Sequence, residues 1–207
     1  TAGFTVLTAQ KYGAGKMDEM RQTVGNALLL TAVISAVMTA VSMSGMQALL
    51  KFMHTPEDIF NDAYAYVMII CGGIFAQALY NILASILRAL GNSRIPLYFL
   101  ILSAMLNIVL DLVFIIVFRL GAPGAAWATI ISQGVSGILC LLYIWKYVPE
   151  LRMKKEDWYF RRSLAFKQIG VGIPMGLQYS ITAIGTMMVQ SALNMLGSYA
   201  VAAFTAG

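Results

Sequence analysis

Residues 95–118 read IPLYFLILSAMLNIVLDLVFIIVF, and Asp111 is the single charged side chain among them. A helix that crosses a bilayer needs about 20 mostly apolar residues at 1.5 Å rise each, and this stretch supplies them. An ionisable group deep in hydrocarbon costs roughly 3 kcal/mol or more and is a functional candidate by default. Comparable runs lie around it, at 27–50, 63–87, 120–145 and from Gln168 onward. The pattern predicts an all-α, polytopic integral membrane helical bundle, with five complete spans and partial ones at both ends.

Composition agrees with that reading. The chain is 59% hydrophobic and 11% charged, outside the range of ordinary soluble domains. A net charge of +5 would suit nucleic acid, but the basic residues stand in short clusters between apolar runs, so they report topology and no nucleic-acid partner is expected. Of the fourteen Lys and Arg residues, all but Lys51 and Arg119 fall in alternate loops that share one side. That asymmetry makes the basic loops cytoplasmic and turns the 51–62 and 119–124 loops outward. Thr55-Pro56-Glu57-Asp58 has the form of a helix start. Cys71 and Cys140 lie inside spans and read as apolar packing. The chain begins at Thr1 without Met and stops at Gly207 in an apolar stretch, which reads as a fragment of a longer protein. The segment 146–167 is either an amphipathic helix lying on anionic lipid, with Trp158, Tyr159 and Phe160 at the interface, or an ordinary basic connector.

Asn107 and Asp111 are four apart and share one helix face. A carboxylate stacked on a carboxamide offers oxygens suited to a proton or a hard cation such as Na⁺. No basic residue inside a span neutralises Asp111, so it is either protonated in place or exchanges a proton or metal ion. Neighbouring spans carry Tyr66, Gln77, Asn81, Thr129, Ser132, Gln133 and Gln178. Each either lines a shared cavity or joins helices by hydrogen bonds. Catalytic readings fail for want of parts. His54 is the single histidine and sits in an outward loop beside Thr55-Pro56, so a triad or a histidine-based metal site lacks parts, and Gly13-Ala14-Gly15-Lys16 lacks the first Gly and the Ser or Thr of a phosphate loop. The chain is not expected to be an enzyme or to hold a cofactor. Gly172-x-x-x-Gly176 fits a close helix-packing motif.

Five segments, in order along the chain, resemble the multidrug and toxic compound extrusion (MATE) family. They are Gln10-Lys11-Tyr12-Gly13-Ala14-Gly15, Arg88-Ala89-Leu90-Gly91-Asn92, Asn107-Ile108-Val109-Leu110-Asp111, the run from Leu120 to Thr129, and Gly172-Ile173-Pro174-Met175-Gly176-Leu177-Gln178. The resemblance implies part of a twelve-helix, two-lobe transporter, running from the end of helix 2 to the start of helix 8. Residues 1–145 would belong to the N-terminal six-helix lobe without its first helix. Residues 146–167 would be the cytoplasmic inter-lobe linker, and 168–207 the start of the C-terminal lobe. The implied activity is secondary active efflux of cationic or amphipathic organic compounds, coupled to inward Na⁺ or H⁺, in the plasma membrane, by a protein that works as a monomer among membrane lipids. Asp111, Asn107, Thr129 and Tyr66 match the family's coupling-ion positions, with Asp111 and Asn107 the ligands if the ion is Na⁺. Gln77, Asn81, Gln133 and Gln178 are the expected substrate-cavity residues. Where some members carry a helix 7 glutamate, this chain has Thr182, which favours coupling in the N-terminal lobe. The alternative is a lipid-linked oligosaccharide or precursor flippase of related architecture. Such proteins place basic residues inside their spans, and these spans contain none.

Overall fold

The computed structural model describes residues 2–52, 57–153 and 155–195; the Thr55-Pro56 cap, His54 and the apolar stretch from Gly197 lie outside them. Seven α-helices follow in order: α1 (Ala2–Gly13), α2 (Met17–Phe52), α3 (Glu57–Gly72), α4 (Ile74–Ala89), α5 (Arg94–Leu112), α6 (Gly121–Tyr147) and α7 (Arg162–Met195). No strand occurs among the described residues. Three helices, α2, α5 and α6, are long and apolar enough to cross a membrane, and the bent pair α3–α4 makes up to four. At 34 residues α7 has the length, but Gln178, Tyr179, Ser180 and Thr182 make its middle less apolar than these three.

The α1–α2 and α4–α5 hairpins close by the same device. At the end of α1, Lys16 N–H bonds Lys11 O and Gly15 N–H bonds Tyr12 O, both at 3.0 Å. At the end of α4, Asn92 N–H bonds Leu87 O at 2.9 Å and Gly91 N–H bonds Arg88 O at 3.0 Å. Each is a Schellman cap, which needs a residue at positive φ; Gly15 has φ 72° and Gly91 φ 86°. Two of the five motifs in the sequence are thus helix stops. Asn92 then turns to the next helix, its Oδ1 accepting from Ile95 N–H at 3.2 Å.

The span expected at 63–87 is broken. α3 and α4 meet at Gly72-Gly73 with a 42° bend. The reason is close packing on α6: a Cβ at Gly73 would stand 2.2 Å from Ile130 Cγ1. A break in a membrane helix frees backbone groups that protein must satisfy, and Thr39 of α2 donates its hydroxyl to Cys71 O at 3.2 Å.

The main hydrophobic core among the described residues lies at the end of the bundle that carries the α1–α2 and α4–α5 hairpins. Met20, Val24 and Ala27 of α2 pack with Ile82, Leu83, Ile86 and Leu87 of α4 and with Cys140 and Ile144 of α6. By contrast α5 lies almost wholly open, with only 6% of its apolar window buried; it rests chiefly on α6.

The 146–167 segment is not one amphipathic helix. α6 runs to Tyr147, two short 3₁₀ turns follow at Pro149–Leu151 and Lys155–Trp158, and α7 begins at Arg162. Pro149 has no N–H to continue a helix and pushes Val148 out of helical geometry, to φ −121° and ψ 77°. The segment docks instead on α2. Arg161 N–H bonds Asn26 Oδ1 at 3.1 Å, and Arg21 pairs with the buried Asp157 at 3.7 Å. Gly25 admits the approach, since a Cβ there would lie 2.3 Å from Asp157 O. One turn into α7, Gln168 is fully buried, accepts from Asn26 Nδ2 and donates to Thr23 O, both at 2.8 Å. Farther along, α7 crosses α1 where Gly3 meets Gly172: a Cβ on Gly3 would stand 2.6 Å from Gly172 Cα. Gly176, the other half of the expected packing motif, has nothing within 4 Å of its Cβ position.

Candidate functional site

α5 and α6 are antiparallel neighbours, and polar side chains mark their register. Toward the start of α5 Ser136 Oγ donates to Phe99 O at 3.1 Å. Two turns farther out Asn107 Nδ2 reaches Thr129 Oγ1 at 3.5 Å, the outer limit of a hydrogen bond. Thr129 passes its own proton to Ala125 O at 3.0 Å. The next turn of α5 brings Asp111 to the level of Ala125. Asp111 is half-buried, and its Oδ1 is buried without a hydrogen-bond partner among the described residues.

Gln133 stands one turn from Thr129 on the same face of α6. Its Oε1 is likewise buried and unpartnered. Two bare acceptor oxygens, one carboxylate and one carboxamide, therefore flank the Asn107–Thr129 bond. Leaving a buried acceptor unpaired costs about 1–3 kcal/mol, more if it is charged, and such atoms call for an explanation in a native protein. A proton on Asp111 or a hard cation beside it would satisfy the carboxylate oxygen; Gln133 lies about two turns from the level of Asp111. Among the described residues no group of three His, Cys, Asp or Glu side chains converges, so the donor set fits a monovalent ion rather than a transition metal.

Directly after Asp111's turn the backbone changes form. Val113–Val117 is a π turn, closed by Phe118 N–H to Val113 O at 3.0 Å and followed by Leu120 N–H to Phe114 O at 3.0 Å. It ends the helix, a place where π turns occur, and Arg119 just beyond it has φ 53°. Gly124 of α6 packs against this turn, its Cβ position only 3.1 Å from Phe114 Cβ.

The other sequence candidates are placed as follows. Tyr66 lies on α3, which packs on α2 and α6 but not on α5, and it is 37% exposed. α4 runs parallel to α6, with Gly73 against Ile130 and Tyr80 against Gly137; continuing that register outward sets Tyr66 near the level of Pro123, close in depth to Asp111 but without contact across α6. Asn81 donates to Gln77 O at 2.8 Å on its own helix. Gln178 is exposed on α7, a helix that touches α1 and α2. Gln77, Asn81, Gln133 and Gln178 line none of the cavities described below. A 520 Å³ cavity does open between α1, α4 and α7, lined by Thr5, Ser85, Arg88 and Tyr179. Sequence reasoning missed it because it gathers side chains from three distant segments. The Arg88 guanidinium makes it a poor seat for a cationic compound.

Residues 1–113 match the MatE family model, more than half of the chain. The chain belongs to the MatE family. This MatE chain is 34% identical, over 99% of its own length and 45% of the relative's, to the probable multidrug resistance protein YpnP of Bacillus subtilis. It is 27% identical, over 99% and 45%, to the probable multidrug resistance protein NorM of Thermotoga maritima. A solved structure of MATE in the bent conformation superposes with a TM-score of 0.85 at 25% identity, covering 99% of this chain and 46% of that one. The MatE chain spans about half the length of the curated relatives it matches. Family and apolar helices together make it part of an integral membrane protein.

Proposed function

We propose that this MatE chain forms part of a secondary antiporter that exports cationic or amphipathic organic compounds across the plasma membrane, driven by inward Na⁺ or H⁺ bound at Asp111. The observation that carries the reading is the unpartnered, buried Oδ1 of Asp111 beside the Asn107–Thr129 bond. Relatives described as multidrug resistance proteins support the efflux half. The orphaned Oε1 of Gln133, one turn from Thr129 and about two from the level of Asp111, supports reading that residue as a further polar ligand on the ion's path. Tyr66, separated by α6, has a supporting role at most. Ion and drug need not touch: each has only to favour a different facing state of the same lobe.

The test is ion-driven efflux by the full-length protein in vesicles. Asp111→Asn keeps the shape and removes the exchangeable charge, and should abolish gradient-driven export while leaving expression and drug binding near normal. Asn107→Ala, Thr129→Ala and Gln133→Ala each remove one neutral ligand and should weaken coupling without abolishing it. Export by Asp111→Asn at near wild-type rate would make Asp111 a permanently protonated structural residue and overturn the assignment.

A further inference from the structure

A second cavity lies apart from the ion site, at the ends of α2, α4 and α6 that carry the basic residues. Its walls are apolar: Val24 and Leu28 from α2, Leu83 and Ile86 from α4, Leu141 and Ile144 from α6, closed below by Leu151, Met153 and Trp158 of the connecting segment. Its volume of 390 Å³ lies within the range of ligand sites, about 300–1,000 Å³. Trp145 and Arg152 line both this cavity and an adjoining 460 Å³ hollow that adds Lys146. An apolar slot therefore opens at a cationic, tryptophan-flanked mouth.

The mouth is free to bind an anion. Among the described residues neither Lys146 nor Arg152 makes an ion pair; Lys146 Nζ rests 5.3 Å from the Tyr147 ring. Glu150 stands on the turn between them, exposed, and lines neither hollow. Trp145, Tyr147 and Tyr159 are 74%, 60% and 75% exposed, as aromatics at a membrane–water boundary are. The mouth thus lies at headgroup depth while the slot reaches into the hydrocarbon, and basic pockets between helices on the cytoplasmic side suit anionic lipid headgroups.

The geometry points to a site for one anionic phospholipid of the cytoplasmic leaflet, with an acyl chain in the apolar slot and the phosphate between Lys146 and Arg152. Such a lipid ties the connecting segment to α4 and α6. The site shares no residue with the Asp111 cluster, so its failure and that of the proposed transport activity are separately visible.

The experiment uses the full-length protein in phosphatidylcholine vesicles that carry either brominated phosphatidylglycerol or brominated phosphatidylcholine. The signal is the part of the tryptophan quenching that Trp158→Phe removes. Brominated phosphatidylglycerol should quench Trp158 at several-fold lower mole fraction than brominated phosphatidylcholine. Lys146→Gln and Arg152→Gln should each reduce that preference about fivefold. Leu141→Phe, which narrows the slot at a half-exposed position, should weaken quenching by both lipids and leave their ratio in place. Inorganic phosphate at millimolar concentration should not compete, since it lacks the chain. Equal quenching by the two lipids, or a preference that survives loss of both charges, overturns the site; displacement by inorganic phosphate overturns the lipid as its occupant.

Discussion

Replacing Gln168 by Leu tests how the connecting segment is held, and the structure sets the size of the effect. Gln168 is wholly buried, and Asn26 is 1% exposed. The change removes two hydrogen bonds, Asn26 Nδ2 to Gln168 Oε1 and Gln168 Nε2 to Thr23 O, each 2.8 Å long. Volume is nearly kept, so no large cavity term enters. Thr23's carbonyl lies inside α2, where a helical donor remains in reach, and its loss is minor. The Asn26 amide is left as a buried donor without an acceptor, at about 1–3 kcal/mol, on top of about 1 kcal/mol net for the Asn26–Gln168 bond itself. The expected destabilisation is roughly 2–4 kcal/mol. Asn26→Leu should cost a similar amount, because Arg161 N–H then loses its acceptor. The double variant should cost less than the sum of the two by about 1–2 kcal/mol, since removing both partners leaves no orphan between them. Thermal unfolding of the full-length protein in detergent measures this, and limited trypsinolysis at Arg161 and Arg162 reports whether the segment has come loose. A Gln168→Leu protein as stable and as protease-resistant as wild type would refute the account.

Two further outcomes follow from the same structure. Gly73→Ala should destabilise by about 1–3 kcal/mol in the same unfolding assay, because its Cβ would overlap Ile130; Gly13→Ala, with open space around it, is the neutral control, and equal behaviour of the two would show the α3–α4 break to be incidental. In a Cys71→Ala, Cys140→Ala background, Ser93→Cys and Asp62→Cys should react with an impermeant thiol reagent from opposite sides of the membrane, and labelling from one side would refute the topology.

The spans were legible because burial in lipid requires long apolar runs, and nothing else in a chain of this length produces them. The break at Gly72-Gly73 was not. Two glycines in an apolar run leave hydropathy unchanged, and only the nearness of Ile130 shows why they are there. The interfacial helix failed for the opposite reason: Lys154 to Arg162 has an amphipathic pattern, but Pro149 and docking onto α2 prevail over it. Asn26 and Gln168 gave no signal at all, since their bond joins residues 142 positions apart. Asn107, Asp111 and Thr129 stood out partly by spacing, yet the pairing of Asn107 with Thr129 rested on family resemblance until α5 was seen against α6. Gln133 was grouped with Gln77, Asn81 and Gln178 by residue type alone, and its place one turn from Thr129 could not be read that way, because sequence does not say which face of α6 meets α5.

The irregular backbone is unevenly distributed, and that bears on how an ion at Asp111 would act. The half that carries Gly15 and Gly91 is fastened by two Schellman caps, the Asn26–Gln168 pair and the main hydrophobic core among the described residues. The opposite half carries the π turn immediately beyond Asp111 and the broken α3–α4 pair, and both bear on α6, the first at Gly124 and the second at Ile130, next to Thr129. Non-helical backbone persists at membrane depth only where protein covers it. In the antiporter proposed above, a charge gained or lost at Asp111 would act on the part of the lobe whose hydrogen bonds are already rearranged, while the opposite half held its shape. Uptake of the ion and a change in the ends of α5 and α6 near Asp111 would then be one event, the coupling that alternating access requires.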